Sequence, residues 1–283
     1  MKKFRIRGWA LARRFTALAF LALLVLGAQP ENSWLHGSLT ATRFLDSLRF
    51  ADPLATLEVI LASGHFYPSL LLSAALLLVI YALLGRAFCG WICPLGLLTD
   101  LADSVRTFLR RNLSRLGLRT PEFSTPTAWK YWLLAFFLAL SFVSALPTFQ
   151  ILSPINWLAW ALIFGGGVEW ILLAAIVVVE FFSRRMWCRS LCPLGAFYSL
   201  VGRLAPWRVW IHPEKAGLVP CRKCTRGCPM GIAVMEDYSM AGKSSVSDSE
   251  CTRCGACIDA CPRGVLRLGF RSFELPKSEA FPV

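Results

Sequence analysis

The sequence predicts an all-α membrane domain of four transmembrane helices, built as a duplicated hairpin, followed by a small α+β domain that binds metal through cysteine. Three observations predict this. Of 283 residues, 56% are hydrophobic and the mean hydropathy is +0.55, too apolar for a soluble globule of this size. Thirty Lys and Arg face 17 Asp and Glu, and the positive charge sits in short blocks beside apolar runs. That is the positive-inside pattern, and it argues against nucleic acid as the partner of a chain carrying +13. Seven of the 11 cysteines crowd into 221–261, in two runs that each end in Cys-Pro. Metal ligation in a reducing compartment explains that spacing better than disulfides do.

The elements follow in order. Lys2, Lys3, Arg5, Arg7, Arg13 and Arg14 precede a charge-free stretch at 15–30, the first span, whose basic end stays in the cytoplasm. A signal peptide would share this pattern, but Leu26-Gly27-Ala28 makes a poor cleavage site. Segment 31–65 is poor in Lys and Arg and is expected outside, followed by a second span at 66–84 and a basic cytoplasmic loop at 85–130. From 131 to 168 no residue is charged, far more than the roughly 20 residues one helix needs to cross. Pro147 and Ser153-Pro154-Ile155-Asn156 break it into a third span at about 130–147, an interfacial or re-entrant piece near 149–164, and a fourth span at about 165–183. The membrane domain is thus 1–200 and the cytoplasmic domain 201–283, with both termini inside a bacterial inner membrane.

In the cytoplasmic domain, Cys251-x2-Cys254-x2-Cys257-x3-Cys261-Pro262 is complete. This spacing lets three cysteines grip one iron–sulfur cubane while the fourth reaches a neighbouring cluster, so the domain is expected to be a ferredoxin-like dicluster fold. A structural zinc site would prefer paired Cys-x2-Cys knuckles. The first run, Cys221-x2-Cys224-x3-Cys228-Pro229, has Leu218 where its leading cysteine belongs. Ligand exchange then gives one [4Fe-4S] cluster to Cys251, Cys254, Cys257 and Cys228, and leaves Cys221, Cys224 and Cys261 for a second. The second is a [3Fe-4S] cluster, a [4Fe-4S] cluster completed by water, another cysteine, His212 or Glu214, or a degenerate empty site.

Two further pairs, Cys89-Gly-Trp-Ile-Cys93-Pro94-Leu95-Gly96 and Cys188-Arg-Ser-Leu-Cys192-Pro193-Leu194-Gly195, stand 99 residues apart, each after an outside-to-inside span. The chain therefore contains an internal duplication. A four-residue step puts both thiols of a pair on one face of a helical turn. Face to face, the four sulfurs would hold a metal or cluster, or cycle between thiol and disulfide; buried small apolar residues are the plain alternative.

A basic N-terminus, four spans, the duplicated Cys-x3-Cys-Pro and two C-terminal cysteine runs together resemble the ferredoxin-type NapH family, whose relatives include MauN, NosR and CcoG. Asp52-Pro53-Leu54 through Ala62-Ser63-Gly64-His65 looks like that family's first outer loop. The resemblance implies oxidation of quinol and delivery of electrons, through ferredoxin-type and cytochrome subunits, to a periplasmic reductase of the nitrate-reductase type. Leu218 and the Cys228-Pro229-Met230-Gly231-Ile232 ending depart from the NapH pattern.

Two ionisable residues are candidates for catalysis. Glu180 falls inside the fourth span and would take a quinol proton, or pair with Arg184 one turn away. His65 lies on the outer side, where an imidazole would release protons outward or simply be solvated. Basic residues among leucines in 103–119 suit anionic membrane lipid. The leading expectation is an electron-transfer subunit acting as a quinol dehydrogenase; the alternative is a maturation or metal-reduction factor that assembles another redox enzyme.

Overall fold

A computed structural model describes residues 8–27, 35–37, 41–44, 48–115, 125–212 and 221–270. Helix α1 (Gly8–Gly27) carries the first apolar stretch. Its opening amides, Trp9 and Ala10 N–H, donate to the Asp259 carboxylate at 3.4 and 3.0 Å, and Trp9 packs edge-on against Trp91 at 5.9 Å. A carboxylate at a helix N-terminus offsets both the orphan donors and the helix dipole, so the C-terminal part of the chain caps the first helix.

An antiparallel sheet follows, β1 (Leu35–Gly37), β2 (Ala41–Phe44) and β3 (Leu48–Ala51) in that order. Asp52 then starts helix α2 (Pro53–Ser63): its side chain accepts from Ala55 N–H at 3.1 Å and proline occupies the first turn. Segment 31–65, expected outside, does not stand apart from the later helices. The Tyr198 hydroxyl donates to Asp52, and fully buried Glu58 accepts from Phe149 N–H at 3.0 Å, with Gln150 and Ser141 each at 3.2 Å. A buried carboxylate needs donors, and α2 finds them only by packing against the later helices.

Helix α3 (Pro68–Leu84) leads through the short α4 (Ala87–Trp91) into α5 (Pro94–Arg115). After α6 (Trp129–Ser144), the interfacial piece forms as α7 (Thr148–Leu152) and α8 (Pro154–Phe164), and α9 (Val168–Phe182) follows. A π-helical turn, Trp187–Leu191, then leads into α10 (Pro193–Val201). The duplication therefore extends well beyond the cysteines. Asp52-Pro53 and Ser153-Pro154 each begin an 11-residue helix that ends at a left-handed glycine, Gly64 or Gly165. Each then passes through a longer apolar helix to a cysteine turn and a helix opened by Cys-Pro.

Among the described residues, α1 alone is long and apolar enough to cross a bilayer by length and composition. Helices α3, α6 and α9, with 17, 16 and 15 residues, fall short of the roughly 20 that span a hydrocarbon core. Their exposed side chains are nevertheless large and apolar, Leu72, Phe142, Val143 and Ile171 among them.

The last part is a small sheet in the order β5 (Ser245–Val246), β4 (Arg208–Ile211), β6 (Leu266–Gly269), antiparallel throughout. Helices α11 (Lys223–Gly227) and α12 (Ala256–Ala260) complete it. Val209, Ile211, Val246 and Leu266 form one core with Cys224, Cys228, Cys257 and Cys261.

Candidate redox centres

The two C-terminal cysteine runs share one local plan. Cys221 precedes Arg222 at φ 52°, then α11, then Cys228-Pro229; Cys254 precedes Gly255 at φ 71°, then α12, then Cys261-Pro262. The left-handed residue turns the chain so that the short helix points its cysteine back toward the loop. Gly255 must be glycine twice over, because a Cβ there would also lie 2.7 Å from the Trp9 side chain.

The sulfurs fall into two groups. Cys228, Cys251, Cys254 and Cys257 line one small cavity, closed by Val209, Met230 and Val246. Burial pushes the Cys251 thiol up to about 12, and the nearby Cys254 and Cys228 add to the effect. Burial raises the Cys224 thiol as well, and the neighbouring Cys261 and Cys221 add to that effect, which groups these three. None of the described cysteines is in a disulfide. Four thiols around one cavity, three of them buried and Cys251 half-buried, are a donor set that fits a cubane cluster. Leu218 and Glu214 lie outside the described residues, so the fourth ligand of the second set is not on view. The His212 N–H donates to Val265 O at 2.9 Å.

The four membrane-proximal cysteines also converge. Burial lifts the Cys93 thiol well above its usual value, and Cys89, Cys188 and Cys192 lift it further. Burial takes Cys188 to about 12 and Cys192 to about 11, with Cys89 contributing at both. Cys192 is itself the N-cap of α10, its Sγ accepting from Gly195 N–H at 3.3 Å. No group of three or more His, Cys, Asp or Glu among the described residues is spaced for a single metal ion. Arg86 is fully buried beside these thiols; burial opposes its charge, but Cys89, Glu250, Cys192 and Cys188 outweigh that and hold it protonated.

These two centres touch. A Cβ on Gly90, between Cys89 and Trp91, would lie 2.6 Å from Thr252 O and 3.4 Å from Cys254 Cβ. Trp91 Nε1 donates to Arg253 O at 3.1 Å, and the Arg253 guanidinium donates to Leu84 O at 2.7 Å and Gly202 O at 3.3 Å. Glu250, the residue before Cys251, receives Arg86 at 2.5 Å, Tyr131 at 2.7 Å, Ser199 at 3.0 Å and, closest of all, Lys130. Arg86 and Lys130 are almost wholly buried, so this one carboxylate balances two interior cations.

Glu180 lies within α9, and His65 lies just before α3, far from the cysteines, as their sequence positions suggest. Glu180 is buried, but its partner is not Arg184: its Oε1 accepts from Trp187 N–H at 3.1 Å and so holds the π-turn that carries Cys188. Arg184 instead reaches Asp103 at 2.8 Å and the carbonyls of Arg226 and Cys228. The sequence step of four was right for a pair, but the helix ends between the two residues and Arg184 swings to the loop. His65 is exposed in the turn between α2 and α3, bonded to Ser63. The whole of α3, about 25 Å at 1.5 Å per residue, separates it from the cysteine turn.

A cavity that sequence reasoning missed lies between the two repeats. Asp52, Tyr81 and Phe88 line it from the first repeat, and Asn156, Leu194 and Tyr198 from the second. No cysteine lines it, but Phe88 adjoins Cys89 and Leu194 follows Cys192-Pro193, and Tyr81 and Tyr198 share a core with Cys93 and Cys192. The Asp-Pro helix start at 52–53 was the available signal. Its meaning needed Tyr198, 146 residues away.

Thiol sets of this kind, in this fold, define a ferredoxin-type iron–sulfur electron-transfer protein. Comparison with known proteins agrees. A "4Fe-4S binding domain" family model matches 66–115 and 166–211, the two repeats with their Cys-x3-Cys pairs, and a "4Fe-4S dicluster domain" model matches 219–266. The chain is 31% identical to the methylamine utilization ferredoxin-type protein MauN of Methylorubrum extorquens, over 94% of this chain and 91% of that one. It is 32% identical to the ferredoxin-type protein NapH of Haemophilus influenzae over 93% and 92%, and 29% identical to NapH of Escherichia coli over 94% and 92%. The chain belongs to this NapH and MauN family of ferredoxin-type proteins. No solved structure matches it.

Proposed function

We propose that the chain is a multi-pass inner-membrane protein, 1–200 in the membrane and 201–283 in the cytoplasm with both termini inside, that oxidises quinol and feeds electrons to partner redox subunits. The observation that carries this reading is the contact at Gly90, which sets the four-cysteine centre directly against Cys254. Helices α1, α3, α6 and α9 are its four spans. The apolar side chains that α3, α6 and α9 expose support this, and the short helices tilt little and thin the bilayer around them.

Cys228, Cys251, Cys254 and Cys257 hold one [4Fe-4S] cluster, Cys221, Cys224 and Cys261 a second iron–sulfur cluster, and Cys89, Cys93, Cys188 and Cys192 a further metal–thiolate centre. When bound, such clusters accept and pass on single electrons. The protein's own residues set the conditions for this. Arg86 and Arg185 offset thiolate charge inside the protein, and Glu250 fixes the cytoplasmic domain against the membrane part.

The cavity at Asp52 and Tyr198 is the quinol site, with the Asp52 carboxylate receiving a proton as the hydroxyl of the bound ring loses it. At about 50 Å³ the cavity is narrower than the roughly 150 Å³ that takes a benzene ring, so binding parts the starts of α2 and α8. Electrons leave through ferredoxin-type and cytochrome subunits toward a periplasmic reductase of the nitrate-reductase type.

Similarity to MauN at an identity equal to that with NapH favours a second reading, a maturation or metal-reducing factor for another redox enzyme. Both readings meet in one experiment. Anaerobically purified protein in detergent, mixed with a low-potential quinol analogue, is expected to show bleaching of cluster absorbance. Clusters that stay oxidised overturn the dehydrogenase reading.

A further inference from the structure

Away from the cysteine centres lies a groove of about 780 Å³, bounded by α1, α5, the end of α9 and helices α11 and α12. Seven Arg and Lys side chains line it against three Asp. All three carboxylates are engaged. Asp100 pairs with Arg13, Arg14 and Arg185, Asp103 with Arg184 and Arg106, and Asp259 caps α1. Lys223 and Arg226 on α11 make no ion pair with a carboxylate among the described residues. Arg13 is 8% exposed, yet its Nε and Nη1 are buried without a partner. The groove is an anion site with donors to spare.

The two long helices that wall it say which anion. On α1, Leu11, Phe15 and Leu18 form one stripe at i, i+4 and i+7, and on α5 Leu101, Val105 and Phe108 repeat that spacing; all six are more than half exposed. A soluble acidic partner would leave both stripes uncovered, whereas a molecule with an anionic head and two long apolar tails covers everything at once. We infer that the groove binds the phosphate headgroup of an anionic phospholipid of the inner leaflet, its acyl chains lying along the stripes of α1 and α5. The lipid then bridges membrane helix α1, amphipathic helix α5 and cluster-bearing helix α11. This rests on the membrane reading above.

The test uses the full chain in detergent, with phosphatidylglycerol, phosphatidylcholine and inorganic phosphate as separate probes. Retention is read by native mass spectrometry, and the thermal midpoint is read alongside. Phosphatidylglycerol is expected to be retained and to raise the midpoint, while phosphatidylcholine and phosphate do neither. The double variant Lys223→Gln/Arg226→Gln should bind phosphatidylglycerol about 30-fold more weakly. Arg110→Gln, on the α5 wall of the groove, should weaken it in the same direction with cluster absorbance unchanged. Equal retention of both lipids, an equal shift with phosphate alone, or unchanged affinity in both variants overturns the proposal. Carbonate extraction of native membranes separates the two readings: release of the chain sinks both, and retention without anionic preference sinks only the groove.

Discussion

The loops at Cys254 and at Cys221 follow one backbone plan in opposite surroundings. The Cys254 loop is pressed between Trp9 and Gly90, its Arg253 is plugged into the backbone carbonyls of Leu84 and Gly202, and Glu250 behind it gathers two buried cations. The Cys221 loop is open. Arg222, Lys223 and Arg226 are exposed, and Arg222 ties itself only to Glu236, at 2.5 Å. The sulfur set that packs against the membrane-proximal cysteines has four thiols, and the one on the open side has three. A buried centre must be complete and neutralised by fixed partners, because no water can supply what is missing. The second set is buried too, at Cys224 and Cys261, but its flanking Arg222, Lys223 and Arg226 face water that can stand in for a missing thiol.

The largest way to break this comparison is at the ligands. Cys254→Ser should abolish the inner cluster signal and stop reduction of the outer one by quinol, while Cys224→Ser should remove only the outer signal; electron paramagnetic resonance on anaerobic samples distinguishes them. Equal loss from both substitutions would mean that the sets do not act separately.

Next in size is the anchor. Glu250→Gln leaves Arg86 and Lys130 buried beside a neutral amide and should destabilise the protein by about 3–5 kcal/mol. The expected reading is a lower denaturant midpoint together with protease access to the linker between α10 and β4.

Asp100→Asn tests a second buried anchor through its pH dependence. Burial alone raises the Asp100 carboxyl, but Arg13, Arg185 and Arg14 outweigh it and hold the pKa below its ordinary 3.8. The unfolded chain lacks those partners. The stabilisation is therefore complete above about 3.8 and is lost as pH falls through the lower folded value. The variant should be about 3 kcal/mol less stable at neutral pH, and the gap should close in acid. A gap independent of pH would assign the effect to packing.

The smallest effects contrast the two left-handed positions. Gly255→Ala meets both the backbone preference and the Trp9 ring, and should cost about 1–3 kcal/mol. Arg222→Gly relieves the same backbone strain at an exposed site and should change stability by less than about 1 kcal/mol. Thermal midpoints of the two variants side by side give the answer.

Much was legible in the residues. The breaks at Pro147 and Ser153-Pro154 fell where α6 ends and α8 begins, and the cysteine spacing forecast which sulfurs would line one cavity. The Glu180–Arg184 pairing misled, because sequence position does not show which way a residue's neighbours turn. Asp52, Tyr198, Glu250 and Arg253 were silent for the same reason. Each is an ordinary polar residue until a partner more than 50 positions away is brought to it.

The sequence by itself determined the chemistry: thiol number, spacing and the Cys-Pro endings follow from local turn geometry, which a few adjacent residues decide. Tertiary structure alone decided that two thiol sets meet at Gly90, that Glu250 lies between two buried cations, and that a cavity opens where the repeats face each other. Those are properties of long-range packing, in which a close approach depends on what is absent, such as a Cβ, as much as on any residue present.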